Sequence, residues 1–348
     1  MGKIEELKEC LKYTLSYLLN IPLVHPKEVN FQMTTRCPLR CIMCNIPRLP
    51  IRGREMSVEE TKRLIDQVAE WGPKYISFVG GEALVRKEDT IELIKYASSK
   101  GLHTTIVSNA HFLDEKTCEK LLDAGLSRLA LSLDGATKET HDYIRGEGNY
   151  EKVMKAMRYM LKLRNEKKSK IKLDFTSVIM SCNFREMVDI YWLAKRMGVD
   201  QVFYQALVLD NTFQTFNFDS ELWIKGKDLE DLKYVIWKLV KLKKEDPSFI
   251  ANSVEYLLSI PKYFREKEKF RPGICLAGYM NLNIDPYGNI NICGIGPNLN
   301  VIGKDLRKIW KSKEYKRTRI LIKKCKRPCL MLCWQKIGLR GLMEILLR

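Results

Sequence analysis

The chain has 348 residues, 45% hydrophobic and 29% charged, with a formal net charge of +18 and eleven cysteines. That is enough chain for one large α/β domain with an appendage, and no run of about 18 or more apolar residues is present to cross a bilayer. No basic stretch followed by a long apolar run and a small-residue cleavage site opens the sequence, so secretion is not expected and a cytoplasmic location is the default.

Residues 1–28 read as an N-terminal amphipathic helix in which Leu7, Leu11, Leu15, Leu18 and Leu19 recur at helical spacing. Such a stripe predicts packing on the main body, and lying on a membrane surface is the sharper alternative. From residue 29 strands and helices alternate. Strands are predicted over residues 29–34, 75–80, 103–108, 128–135, 171–180 and 201–207. Helices are predicted over 57–71, 89–101, 114–125, about 150–165 and 184–198. Ser57 with Glu60 three residues on is a capping box that opens the first of these helices. Six strands, each but the last followed by a helix, imply parallel β/α winding. Six units are too few for a closed eight-fold barrel, so residues 29–209 are predicted to form an open, partial (β/α)6 TIM-like barrel. Residues 210–270 read as a basic helical bridging segment rather than another β/α unit. Residues 271–348 read as a small C-terminal α+β cluster-binding domain ending in a helix, with a hairpin over 280–293 turning at Asp285-Pro286-Tyr287-Gly288.

The positive charge is spread over many helices, and stretches such as 164–172 and 311–319 read as solvated faces, so nucleic acid is not the favoured partner. Eight of the eleven cysteines fall in two groups, within residues 37–44 and 275–333, while Cys10, Cys118 and Cys182 stand alone in contexts that suggest buried packing. Grouped thiols in a reducing compartment point to metal rather than to disulfides. Cys37, Cys41 and Cys44 lie just after the first strand, at the end of a β/α barrel where active sites assemble. Zinc or an iron–sulfur cluster would suit them. Structural zinc wants a fourth Cys or His, and the loop has no His; the nearest, His25, precedes the strand. A cubane can instead leave one iron open to an outside chelator.

The Cys37-x3-Cys41-x2-Cys44 spacing, with Met43 before the last cysteine, resembles the signature of the radical S-adenosylmethionine (SAM) superfamily. The resemblance implies that the three cysteines hold a 4Fe-4S cluster whose fourth iron binds the amino and carboxylate groups of SAM. Gly80-Gly81-Glu82 after the second strand resembles the family's glycine–glycine–glutamate motif, where glycines admit a ligand close to the backbone and a carboxylate balances the SAM ammonium. Ser108 and Asn109 resemble the strand end that contacts the ribose or methionine portion, and Ser132 and Arg145 would reach the carboxylate end. The implied chemistry is reductive cleavage of SAM to a 5′-deoxyadenosyl radical that abstracts hydrogen from a substrate, with the protein supplying orientation and exclusion of water.

Cys275, twelve residues, Gly288, four residues and Cys293 resemble the opening of a SPASM or twitch-like auxiliary domain. Cys325, Cys329 and Cys333 follow, five cysteines in place of the seven of a full SPASM pattern. The resemblance therefore implies one auxiliary 4Fe-4S cluster held by Cys275, Cys293, Cys333 and either Cys329 or Cys325, with a zinc knuckle as the alternative. It also implies a one-electron donor such as ferredoxin or flavodoxin, and a substrate that is a peptide, a cofactor precursor such as a tetrapyrrole, or a lipid. Peripheral membrane contact through the amphipathic ends is kept open. The competing reading is a non-catalytic iron–sulfur protein that carries electrons or binds RNA.

Overall fold

The computed structural model describes residues 3–208, 220–271, 273–296 and 298–331. Helix α1 (Lys3–Leu19) precedes β1 (Glu28–Gln32), and then strands and helices alternate: α2 (Val58–Trp71), β2 (Tyr75–Val79), α3 (Lys87–Ser99), β3 (His103–Ser108), α4 (Glu115–Asp123) and β4 (Arg128–Ser132). Two helices, α5 (Lys138–Arg145) and α6 (Asn149–Glu166), lead to β5 (Lys172–Ile179), and α7 (Met187–Met197) leads to β6 (Gln201–Ala206). The six strands pair in parallel in chain order. Ile76, Phe78, Leu129, Leu131, Leu173 and Phe175 are fully buried, as a parallel sheet covered on both faces demands. The predicted capping box is present: Ser57 Oγ accepts from Glu60 N at 3.1 Å and Glu60 Oε2 accepts from Ser57 N at 2.8 Å.

Beyond β6 come α8 (Asp228–Glu245) and α9 (Val254–Glu266). The stretch between them is not merely a bridge. Val202 N donates to Phe249 O and Ala251 N to Val202 O, so Ile250 adds a short parallel bridge to the outer edge of β6.

The C-terminal part contains α10 (Ala277–Met280), β7 (Asn281–Ile284), β8 (Asn289–Ile290), β9 (Leu299–Asn300), α11 (Leu306–Lys311) and α12 (Lys313–Lys323). Its hairpin continues the main sheet: β7 pairs in parallel with β1, giving the order β6-β5-β4-β3-β2-β1-β7-β8-β9. The first barrel strand thus has no bare edge. Asn30 Nδ2 donates to Asn283 Oδ1 across this pairing at 2.7 Å. In the turn, Asp285 Oδ1 accepts from Tyr287 N and Asn289 N, and Gly288 takes a φ of +79°.

Three expectations are corrected. Among the described side chains of α1 the buried ones are Tyr13, packed by Leu276, Tyr279 and Met280, and Ser16, whereas Leu11, Leu15, Leu18 and Leu19 face outward and Leu7 is half-buried. The docked face is the one that makes hydrogen bonds, with Ser16 Oγ accepting from Leu23 N and Tyr279 donating its hydroxyl to Asn20 Oδ1. A helix can turn only one face to the body, and here the polar-aromatic face takes it. Second, the basic stretch 311–319 is not wholly solvated. Arg319 is buried with its guanidinium 4.4–5.1 Å from the ring centres of Tyr315, Trp310 and Tyr279, and it donates to the carbonyls of Gly278 and Trp310. Third, only Cys118 of the lone cysteines is buried; Cys10 is half-buried and Cys182 is exposed in the turn that follows β5. Among the described residues no helix is long and apolar enough to cross a membrane.

Candidate functional site

The first cysteine group sits in the loop between β1 and α2, and that loop is pinned at both ends. Arg86 donates to the carbonyls of Met33 at 3.2 Å and Met56 at 2.9 Å, drawing the two ends of the loop together. Glu55 accepts from Thr34 Oγ1 at 2.5 Å and from Arg36 at 3.1 Å. Arg52 N donates to the Tyr287 hydroxyl and Met56 N to Pro286 O, which ties the loop to the C-terminal hairpin. Arg86 and Glu55 belong to no motif in the sequence; both charged side chains are mostly buried, and burial is not legible from composition.

Gly80 and Gly81 follow β2 directly. A Cβ on Gly80 would stand 2.5 Å from Thr34 O, and one on Gly81 would stand 2.3 Å from Arg36 O and 2.7 Å from Thr35 O. Gly81 N donates to Thr34 O and Glu82 N to Arg36 O. What crowds these glycines is the chain's own backbone where it enters the cysteine loop, so the motif packs two turns together whatever else it admits.

Glu82 is buried, with Oε1 accepting from Ser108 Oγ at 3.0 Å and Leu84 N at 3.2 Å, and Oε2 from Asn109 N at 2.9 Å. Burial raises its carboxyl pKa, against the pull of those bonds and of Arg145. Asn109 closes the link to the cysteines, its Nδ2 donating to Cys37 Sγ at 3.4 Å. Gly80, Gly81, Glu82, Ser108 and Asn109 are therefore assembled at the ends of β2 and β3, beside Cys37.

Ser132 ends β4 and is buried. Arg145, at the end of α5, is buried as well and pairs through Nε with Asp134 Oδ2 at 2.6 Å; Asp134 Oδ1 in turn accepts from Val178 N. The structure thus engages the Arg145 guanidinium with Asp134 and sets its charge where it favours the thiolates of Cys41 and Cys44. Asp134, two residues beyond Ser132, belongs to no motif named from the sequence. Burial pushes the Cys37 thiol up to about 11, with the charges of Glu82, Cys41 and Cys44 adding to the rise, and it raises Cys41 and Cys44 too.

The second group converges as well. Burial, together with the charge of Cys329, Cys275 and Cys325, pushes Cys293 up to about 12. Cys329 rises to about 11 by burial and the charge of Cys275 and Cys325. Cys293 holds a φ of +54°, a left-handed conformation that costs an ordinary side chain about 1 kcal/mol. Arg327 donates to Cys293 O at 2.7 Å, and three residues on Leu330 O accepts from Gln205 Nε2 of β6 and from the Tyr256 hydroxyl of α9. The segment 327–330 therefore links the hairpin next to β1 with the strand at the far edge of the barrel. Cys333 lies outside the described residues.

Buried thiols that raise one another's pKa are unfavourable as free thiolates, and a bound metal centre relieves that by taking them as ligands. Among the described residues no three Cys, His, Asp or Glu side chains form a set for one metal ion, whereas the ligands of a multi-iron cluster are spread over separate irons. Three thiols on one loop are the donor chemistry that an iron–sulfur cluster takes.

Residues 31–180 match the family described as the Radical SAM superfamily. The chain is 26% identical over 304 residues to an AdoMet-dependent heme synthase of Methanosarcina barkeri, covering 83% of each chain. It is 27% identical over 277 residues to a PqqA peptide cyclase of Bradyrhizobium diazoefficiens, covering 77% of this chain and 66% of the relative. Among solved structures it resembles Streptococcus suis SuiB bound to S-adenosylmethionine, with a TM-score of 0.67 at 19% identity over 85% of this chain and 68% of that one, a likeness of fold. Relatives with named catalytic activities set aside the reading as a non-catalytic electron carrier or RNA-binding protein. Residues 31–180 thus carry a radical SAM domain, the kind of domain that works with SAM and a 4Fe-4S cluster, and the chain is similar over most of its length to relatives with named catalytic activities.

Proposed function

We propose that Cys37, Cys41 and Cys44 hold the SAM-binding 4Fe-4S cluster and that Cys275, Cys293, Cys333 and either Cys329 or Cys325 hold an auxiliary 4Fe-4S cluster. When bound, the first cluster and SAM supply a one-electron reductive cleavage whose 5′-deoxyadenosyl radical takes hydrogen from the substrate. The observation that carries this reading is the convergence of Glu82, Ser108 and Asn109, from two successive strand ends, on the loop that bears Cys37.

Glu82 Oε2 accepts one protein hydrogen bond, which leaves it capacity for the SAM ammonium, and the bonds from Ser108 and Leu84 to Oε1 fix the carboxylate's direction. Asn109 steadies Cys37, and Arg145 balances the charge of the other two thiolates. Buried Leu39, Met43 and Met56 keep water from the centre. Gly80 and Gly81 set the turn that presents Glu82, and Ser132 lies at the next strand end toward the carboxylate end of SAM.

The domain division follows the same logic: an N-terminal helix over 1–28, the catalytic core over 29–209, the helical segment over 210–270, and the auxiliary module from 271. An auxiliary cluster suits a net oxidation of substrate. A tetrapyrrole precursor is the first substrate reading, because the heme synthase relative matches over most of both chains and carboxylates suit a chain of charge +18. A peptide is the second, supported by the peptide cyclase relative. A small one-electron donor of the ferredoxin or flavodoxin type would supply the electron.

The test is anaerobic reconstitution with iron and sulfide, then incubation with SAM and dithionite. Release of 5′-deoxyadenosine supports the reading, with Cys41→Ala expected to abolish release while the absorbance of the auxiliary cluster stays. Iron–sulfur loading without SAM cleavage, with iron-coproporphyrin and PqqA-type peptide both supplied, would sink it.

A further inference from the structure

Seven of the seventeen large apolar side chains exposed among the described residues lie between Ile4 and Leu23. Ile4, Leu11, Leu15 and Leu18 recur seven, four and three residues apart, so they form one stripe along the outer face of α1, with Leu18 67% and Leu19 56% exposed. Ile21 and Leu23 continue the stripe into the link to β1. The helix is not loose. Tyr13 and Asn20 bind it to α10, Trp310 Nε1 of α11 donates to Val24 O at 2.9 Å, and Lys323 of α12 bonds Tyr17 O with its ammonium over the Tyr17 ring. A rigid body thus presents leucines to solvent on a face that tertiary packing could have buried.

The elements that hold α1 are strongly cationic. Residues 306–327 carry eleven Lys and Arg against the single acid Glu314, and Arg319 is the one of them turned fully inward. Exposed Ile320 and Leu321 lie in the same segment as exposed Lys316, Arg317 and Lys324. We propose that α1, its link to β1 and the α11–α12 segment form a membrane-docking surface that lies on an anionic lipid bilayer, the leucines entering the interface and the lysines and arginines meeting headgroups. Apolar insertion and attraction to anionic lipid are the two components of interfacial binding, and here the elements that carry them are bonded to one another. RNA would use the cations and leave the leucine stripe unexplained. The inference stands apart from the radical SAM reading, because no residue of the cysteine loop takes part.

Co-flotation of the full-length, cluster-loaded protein with vesicles tests it. Binding to equimolar phosphatidylglycerol/phosphatidylcholine vesicles is expected to exceed binding to pure phosphatidylcholine at least tenfold and to fall steeply with salt. Leu18→Glu with Leu19→Glu, both at exposed positions, should lower binding at least tenfold while thermal stability and SAM cleavage stay unchanged. Binding that ignores both substitutions, or no preference for the anionic vesicles, overturns the proposal. So does a concentration-dependent dimer that Leu18→Glu dissociates, which would give the face to a second copy. A loss of thermal stability in Leu18→Glu without any vesicle binding by the unsubstituted chain would give it to residues 332–348 and equally overturn the proposal.

Discussion

Replacing Glu82 by Gln separates two roles that one buried carboxylate can hold. The side chain keeps its shape, and Oε1 can still accept from Ser108 and Leu84. The new amide nitrogen then faces Asn109 N, a donor against a donor, and an unsatisfied buried N–H costs about 1–3 kcal/mol. Against that, burial already disfavours the charge at this position, so its removal offsets part of the loss. The net change in stability is expected to stay below about 2 kcal/mol. Nothing offsets the loss for a cationic ligand. A charge-assisted hydrogen bond contributes about 1.5–3 kcal/mol, which at about 1.4 kcal/mol per decade is a ten- to 150-fold weaker affinity for SAM. Anaerobic calorimetry on the reconstituted protein measures it, with urea denaturation of the same samples as the control. If Glu82→Gln binds SAM within twofold of the unsubstituted protein, Glu82 serves only to fasten the ends of β2 and β3, and the ammonium assignment is wrong.

Gly81→Ala puts a methyl 2.3 Å from a backbone carbonyl that has no side chain to swing away, and should cost about 3 kcal/mol in urea denaturation. Gly101→Ala, with nothing within 4 Å of its added Cβ, should cost only the roughly 1–2 kcal/mol of its left-handed φ. Equal losses would refute the crowding by Thr35 and Arg36. Asp174 is buried with one oxygen unpartnered and the other 3.1 Å from Arg128, and burial lifts its pKa to about 6. Its folded pKa lies above the unfolded value near 4, so folding keeps a proton that the unfolded chain releases. Stability should therefore fall as pH rises from about 4 to 6, by about 2–3 kcal/mol in all. Asp174→Asn removes the penalty, so its melting temperature should rise relative to the unsubstituted protein at pH 7 and match it near pH 4; a shift independent of pH would refute this. Arg319→Leu strands the carbonyls of Gly278 and Trp310 and empties an aromatic box, for an expected loss of about 2–4 kcal/mol, with Arg319→Lys intermediate because a point charge cannot fork to both carbonyls. Thermal melts of the two variants decide it, and equal stability of Leu and Arg at 319 would show the box to be dispensable.

The sequence by itself determined the parallel barrel and the cysteine loop. Period-two apolar runs, capping residues and closing turns are local signals, and the spacing of Cys37, Cys41 and Cys44 is covalent, so neither needs the rest of the fold to be read. Tertiary structure decided whatever depends on which face meets which. It turned Tyr13 and Ser16 of α1 inward and left the leucines outside, because the packing of Tyr13 and the bond from Tyr279 to Asn20 hold that face to the C-terminal module. It buried Arg319 among rings that stand apart in the sequence, and it joined β7 to β1 across some 250 residues, which no local period encodes. It also showed that Gly80 and Gly81 give way first to the backbone of residues 34–36, and that Arg86 and Glu55 hold the cysteine loop in place. Motifs name the residues that can do chemistry; long-range contacts, formed only when the chain closes on itself, place them.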